Sequence, residues 1–205
     1  MVSELIQFWK DQIEFICTSD TAFKYTGTTY LTDEKTIKEI GSLTTPNKFL
    51  AVVRKPIVNA KKSEFILVLD GVQDPGNFGT IIRTADWFGV DLIVCSKGTV
   101  DMYNSKVVQS SMGSLFRIPI IYNDLTSYLA NATLPIFGAL LEGKNVYTEK
   151  LPVNAIIVMG NEGSGISEDV KAMIQHKIHI PRFGCAESLN VSIATGILLS
   201  EFKNS

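Results

Sequence analysis

Ala155-Ile156-Ile157-Val158-Met159 runs straight into Gly160-Asn161-Glu162-Gly163-Ser164-Gly165. A little later Ile178-His179-Ile180-Pro181-Arg182-Phe183-Gly184-Cys185-Ala186-Glu187 leads into Ser188-Leu189-Asn190-Val191-Ser192-Ile193-Ala194. Each is a short apolar strand followed by a loop of small and polar residues, and the second loop opens an apolar helix. Continuous apolar strands are buried on both faces, which is the habit of a parallel sheet sandwiched between helices. Bare backbone at the ends of such strands is where an open α/β sheet binds small ligands.

Upstream, the same grammar recurs from Glu64 onward. Phe65–Leu69, Leu92–Cys95, Pro119–Tyr122 and Ile136–Leu140 read as further short strands, with helical stretches between most of them. The alternation predicts a mostly parallel α/β sheet with helices on both faces. After the first strand, Asp70-Gly71-Val72-Gln73-Asp74-Pro75-Gly76-Asn77 is turn chemistry. Pro75-Gly76 suits the centre of a type II turn, and Asn77 is read as the cap of a helix whose apolar face is Phe78, Ile81, Ile82, Ala85 and Phe88. Arg83 falls off that face, with Thr80, Asp86 and Trp87. A guanidinium one turn into a helix, above a strand's carboxyl end, is placed to meet a ligand phosphate.

Residues 1–60 read as a smaller unit. Leu5, Ile6, Trp9, Ile13 and Ile16 recur at roughly helical spacing, while Ile13–Cys17 fits a short strand equally well. Thr32 is read as the cap of a helix reaching Ile40, and Phe49–Val53 as a strand. Lys55-Pro56 and Asn59–Glu64 form the expected linker to a second unit, 61–205. The three cysteines lack metal-ligand spacing and imply a reducing, cytoplasmic setting. Met1–Leu5 lacks a signal-peptide layout, and no apolar run approaches the ~20 residues of a membrane span. A net charge of −2 excludes a global basic field but not a local one.

Several familiar motifs fail. Gly71, Gly76 and Gly79 do not make a dinucleotide fingerprint. Gly160 and Gly165 have P-loop spacing, but Ile166 stands where the lysine must be. No nucleophile elbow is present. His176 and His179 are the only histidines and have no evident third ligand, so no metal is expected. Cys185 is read as a small loop residue.

Three segments together resemble the SpoU (TrmH) family of RNA ribose 2′-O-methyltransferases of the SPOUT superfamily. They are Asp74–Ala85, Met159–Gly165, and Ile180-Pro181 followed by Ser188–Ala194. Val107–Phe116 is similar to the family's intervening segment, and the likeness covers about residues 64–205. The resemblance implies a deep trefoil knot in the C-terminal part of the sheet, a homodimer, and S-adenosyl-L-methionine held bent against the knotted loops. By motif position Met159, Gly160, Ile180, Ser188 and Leu189 would touch the cofactor. Arg83 matches the family's catalytic arginine, with Asn77, Glu162, Ser188 and Asn190 as its catalytic companions. Residues 1–60 resemble the ribosomal-protein-like RNA-binding domain that often precedes this one, beginning inside it without its first strand. That pairing makes ribosomal RNA the expected partner ahead of transfer RNA.

The residues suit the chemistry. A guanidinium stays protonated and is a poor base, so Arg83 is read as clamping a phosphate and stabilising a developing alkoxide. Glu162 is expected to orient Arg83 or Asn77, and Ser188 to cap the last helix with Asn190 at its second position. Ser110, Ser111 and Gly113 are read as a small-residue turn that permits tight packing. Two other functions fit the residues less well: an RNA-binding protein without chemistry, and a methyltransferase acting on a base nitrogen.

Overall fold

The computed structural model describes residues 1–41, 47–57 and 63–204. The chain divides into two compact units, Met1–Ile57 and Val58–Ser205. The expected linker residues Asn59–Lys62 lie outside the described residues.

The first unit opens with helix α1 (Val2–Trp9), which passes through a 3₁₀ turn into strand β1 (Ile13–Thr18). The ambiguous Ile13–Cys17 segment is therefore a strand, as its β-branched and aromatic content favours. β1 is the middle of a three-stranded sheet, parallel to β2 (Thr29–Leu31) and antiparallel to β3 (Phe49–Val53). Helix α2 (Glu34–Ile40) is capped by Asp33, whose carboxylate accepts the Thr36 N–H at 2.8 Å. The cap is one residue later than Thr32. Ile16 and Ile37 are buried, Phe23 meets Phe49 edge-on at 4.9 Å, and Phe15 meets Tyr30 at 5.4 Å.

The second unit is a six-stranded sheet. Its strands are β4 (Phe65–Leu69), β5 (Leu92–Cys95), β6 (Ile120–Tyr122), β7 (Ile136–Asn145), β8 (Ala155–Met159) and β9 (His176–His179). Their order is β6-β5-β4-β8-β7-β9, and every pair is parallel. Helices α3 (Pro75–Trp87), α4 (Ser105–Ser110), α5 (Leu125–Ala130), α6 (Glu168–Lys171) and α7 (Val191–Asn204) connect or cover them. Every residue of β4, β5 and β8 is buried, so the apolar runs of the sequence are the sheet's centre. Each buried aliphatic side chain there contributes about 1.5–3 kcal/mol.

Register positions the loops. Leu69 pairs with Cys95 on one side and Met159 on the other, so β5, β4 and β8 end level. The chain winds outward from β4 to β6, then resumes on β4's other side. The β4–β8 boundary is thus the point where strand order reverses, and the loops after these two strands flank the crevice it opens. β7 is longer than expected, with a shift in its pairing to β9 between Ala139 and Lys144.

Helix α3 starts earlier than expected. Asp74 is its cap, accepting the Asn77 N–H at 2.7 Å, and Pro75 occupies the first turn. Gly76 does not take the positive φ that a type II turn needs; it is helical. Proline's fixed φ serves a first helical turn as well as a β-turn. Phe78, Ile81, Ile82 and Ala85 are fully buried on the predicted face. α3 packs on α4 closely enough that a side chain on Gly79 would run into Ser110 and the Val107 carbonyl, which is the tight packing read from the small residues.

Candidate active site

The middle of β7 and the carboxyl ends of β8 and β9 open onto one cleft of about 750 Å³. Its lining includes all five residues expected at the cofactor: Met159, Gly160, Ile180, Ser188 and Leu189. Leu140, Leu141 and Leu198 add apolar surface, while Glu162, Arg182 and Glu187 add charge. The size falls within the range for nucleotide-sized ligands, and an apolar wall with a few polar groups is the usual composition.

Gly160 carries this architecture. A Cβ there would lie 2.3 Å from the Gly165 carbonyl carbon and 2.4 Å from the Ile166 nitrogen. The loop therefore folds back onto the strand end with no room for a side chain. Asn161 and Gly165 close it by exchanging backbone hydrogen bonds of 2.9 and 3.0 Å.

Beside the cleft, three segments far apart in sequence meet through side chains. Asn77 Nδ2 donates to Glu162 Oε1 at 3.0 Å, and Asn190 Nδ2 donates to Asn77 Oδ1 at 2.9 Å. Glu162 also accepts weak bonds from the Gln73 and Asp74 N–H groups at 3.4 Å. Asn190 caps α7: its carbonyl accepts the Ala194 N–H, and its Oδ1 takes the Ser192 N–H at 2.9 Å and hydroxyl at 2.6 Å. Ser188 lies two residues before the cap and lines the cleft, so its expected capping role passes to Asn190. Both residue types cap well, and only the helix start separates them.

Arg83 is exposed and stands apart from this chain of bonds. It lies six residues beyond Asn77, roughly 120° round the helix. It does not pair with Asp86, its neighbour on the same side of the helix. Asp86 is held by Arg117, whose Nη2 and Nε approach it at 2.6 and 2.8 Å. Among the described residues Arg83 has no ion pair or hydrogen bond, so its guanidinium is available to a ligand.

Partial burial raises the Glu162 pKa, but hydrogen bonds from Asn77 and from the backbone N–H groups of Glu162, Gln73 and Asp74 outweigh it, and the net value is lowered. A depressed folded-state pKa gives stability that is present above the ordinary carboxylate range and lost as pH falls through the folded value. Glu162→Gln should therefore be less stable than the parent at pH 7, with the gap closing as pH falls through and below the ordinary carboxylate range. Thermal melts of the two proteins across pH check this; a gap independent of pH would contradict it.

Two residues outside the expected set hold the loops. Asp70 accepts the Ser167 N–H at 2.8 Å, and Asn161 Nδ2 donates to the Gly71 carbonyl at 2.7 Å. Asn161 was legible as an Asx-turn former in a glycine loop. His176 stacks on Phe137 at 4.7 Å and His179 Nδ1 lies 2.7 Å from the Gly143 carbonyl, so each has a structural neighbour. Among the described residues no three metal-ligating side chains cluster.

The family model described as the SpoU rRNA methylase family matches residues 64–200, well over half of the sequence. The chain belongs to the SpoU rRNA methylase family. It is an RNA methyltransferase that uses S-adenosylmethionine. It is 35% identical over 175 residues to the 23S rRNA (guanosine(2553)-2′-O)-methyltransferase RlmP of Bacillus subtilis, covering 83% of this chain and 70% of that one. It is 34% identical over 148 residues to the 23S rRNA (guanosine-2′-O-)-methyltransferase RlmB of Neisseria meningitidis, covering 70% and 59%. Among solved structures, an AdoMet-bound rRNA methyltransferase from Sinorhizobium meliloti superposes with a TM-score of 0.86 at 28% identity, covering 98% of this chain and 84% of that one. A TrmH-family protein from Porphyromonas gingivalis gives 0.85 at 36% identity, covering 99% and 86%. The mostly parallel SpoU sheet expected from the sequence is thus the fold of this chain.

Proposed function

We propose that this SpoU methylase transfers a methyl group to a ribose 2′-hydroxyl of RNA, with ribosomal RNA as the substrate. The observation that carries the reading is the Asn190–Asn77–Glu162 chain of hydrogen bonds, which joins the three motif segments at the rim of the cleft. The 2′-O-methylation of 23S rRNA guanosines by the Bacillus subtilis and Neisseria meningitidis relatives supports the acceptor and the RNA class.

The cleft fits S-adenosylmethionine in size and lining. Met159, Gly160, Ile180, Ser188 and Leu189 would hold it, largely through backbone at the strand ends. When bound, the cofactor supplies a methyl group on a sulfonium, open to in-line attack. Arg83 clamps an RNA phosphate and stabilises negative charge growing on the 2′-oxygen. Asn77 is held in one orientation by Glu162 and Asn190, so its remaining amide hydrogen is pre-aimed at the nucleotide. Ser188, on the cleft wall, completes the polar set.

The active form is a homodimer. Trp87 on α3, Ile193 on α7 and Met112 beside α4 are large apolar side chains at 84%, 56% and 56% exposure, and α3 packs against both α4 and α7. Large apolar side chains left exposed on adjoining elements suit a surface that a second copy covers. The trefoil knot is supported by the chain's return from edge strand β9, through the cleft wall, to α7 packed on α3. Residues 1–57 grip the RNA, and the enzyme works in the cytoplasm.

Calorimetric titration with S-adenosylhomocysteine tests the cofactor site. Micromolar binding, about −8 kcal/mol, is expected. No binding at millimolar ligand would favour an RNA-binding protein without chemistry.

A further inference from the structure

Asn161 occupies the joint between the loop after β8 and the loop after β4. Its Oδ1 accepts the Gly163 N–H at 2.8 Å and the Ser164 N–H at 3.0 Å, which shapes the glycine loop from within. Its Nδ2 donates to the Gly71 carbonyl at 2.7 Å, across the β4–β8 boundary. Gly71 in turn gives its N–H to Ser96 Oγ at 2.9 Å, in the loop after β5. One side-chain amide thus satisfies three backbone groups and ties the cleft wall to the segment that leads into Asp74 and Asn77. Both amide ends are used, so neither a carboxylate nor a hydroxyl reproduces the set.

We infer that Asn161 is a positioning residue: it fixes the shape of the cofactor loop and latches it to the loop that presents Asn77. The inference rests on the reading of the cleft as the cofactor site. Next to Asn161, Gly160 and Glu162 line that cleft, so a loop released from Gly71 changes the wall and moves Glu162 away from Asn77.

The test compares three full-length variants by S-adenosylhomocysteine calorimetry and thermal melting. Asn161→Ala should fold yet weaken binding about tenfold or more. Asn161→Asp keeps the acceptor for Gly163 and Ser164 but sets an anion against the Gly71 carbonyl, so binding should weaken at pH 7.5. Leu129→Ala, in the core on α5, should lower Tm without changing Kd. Folded Asn161→Ala with the parent's Kd would overturn the inference, as would folded Asn161→Asp binding as tightly as the parent. Failure of the parent itself to bind would instead remove the cofactor site on which the inference stands.

Discussion

Arg83→Ala should lower methyl transfer by about 10²–10³-fold while cofactor binding and Tm stay close to the parent. The size follows from removing one donor aimed at charge that develops only in the transition state. The selectivity follows from geometry. Arg83 is exposed, has no ion pair or hydrogen bond among the described residues, and is absent from the cleft lining. Truncating such a side chain costs the fold no more than about 0.5 kcal/mol. Arg83→Lys should recover little, because a point charge cannot reproduce the planar fork on a phosphate. Single-turnover kinetics, melting and calorimetry on the same preparations check all three statements. Near-normal turnover in Arg83→Ala would remove the arginine from the mechanism.

Gly160→Ala should cost about a hundredfold or more in cofactor affinity, equivalent to about 2.7 kcal/mol. The added carbon would overlap Gly165 and Ile166 backbone atoms at 2.3–2.6 Å. Backbone cannot swing aside as a side-chain tip does, and the Asn161–Gly165 bridge pins it. Overpacking of this kind typically costs 1–3 kcal/mol of stability. Here the strain falls on the cleft wall itself, so binding and Tm should fall together. An unchanged Kd for S-adenosylhomocysteine would mean that the glycine loop does not form the cofactor site.

The sheet was legible because its central strands are apolar at every position: β4 and β8 are buried from end to end, and at five residues each such runs are too short for a buried helix. Helix starts were read less well, for one physical reason. Asp, Asn, Ser and Thr all cap, and the sequence offers several in a row. At α3 the decisive clue was Pro75, which favours the first helical position and so points to Asp74 rather than Asn77. At α7 no such clue separates Ser188 from Asn190. The error matters for function: displaced from the cap, Asn77 is free to bridge Glu162 and Asn190. Asn77, Glu162 and Asn190 were found by motif, but their mutual contact was not, since it joins positions 85 and 113 residues apart. The Arg117–Asp86 pair that leaves Arg83 unpaired is equally non-local.

The most direct measurement locates the methyl group. Unmethylated 23S ribosomal RNA would be incubated with the full chain and isotopically labelled S-adenosylmethionine, then hydrolysed with alkali and analysed by mass spectrometry. Alkaline cleavage needs a free 2′-hydroxyl, so a 2′-O-methyl group leaves a resistant labelled dinucleotide. That product, lost in Arg83→Ala, is the predicted result. Label recovered only in mononucleotides with the methyl on a base, or no label from a protein that binds S-adenosylhomocysteine, would contradict the account.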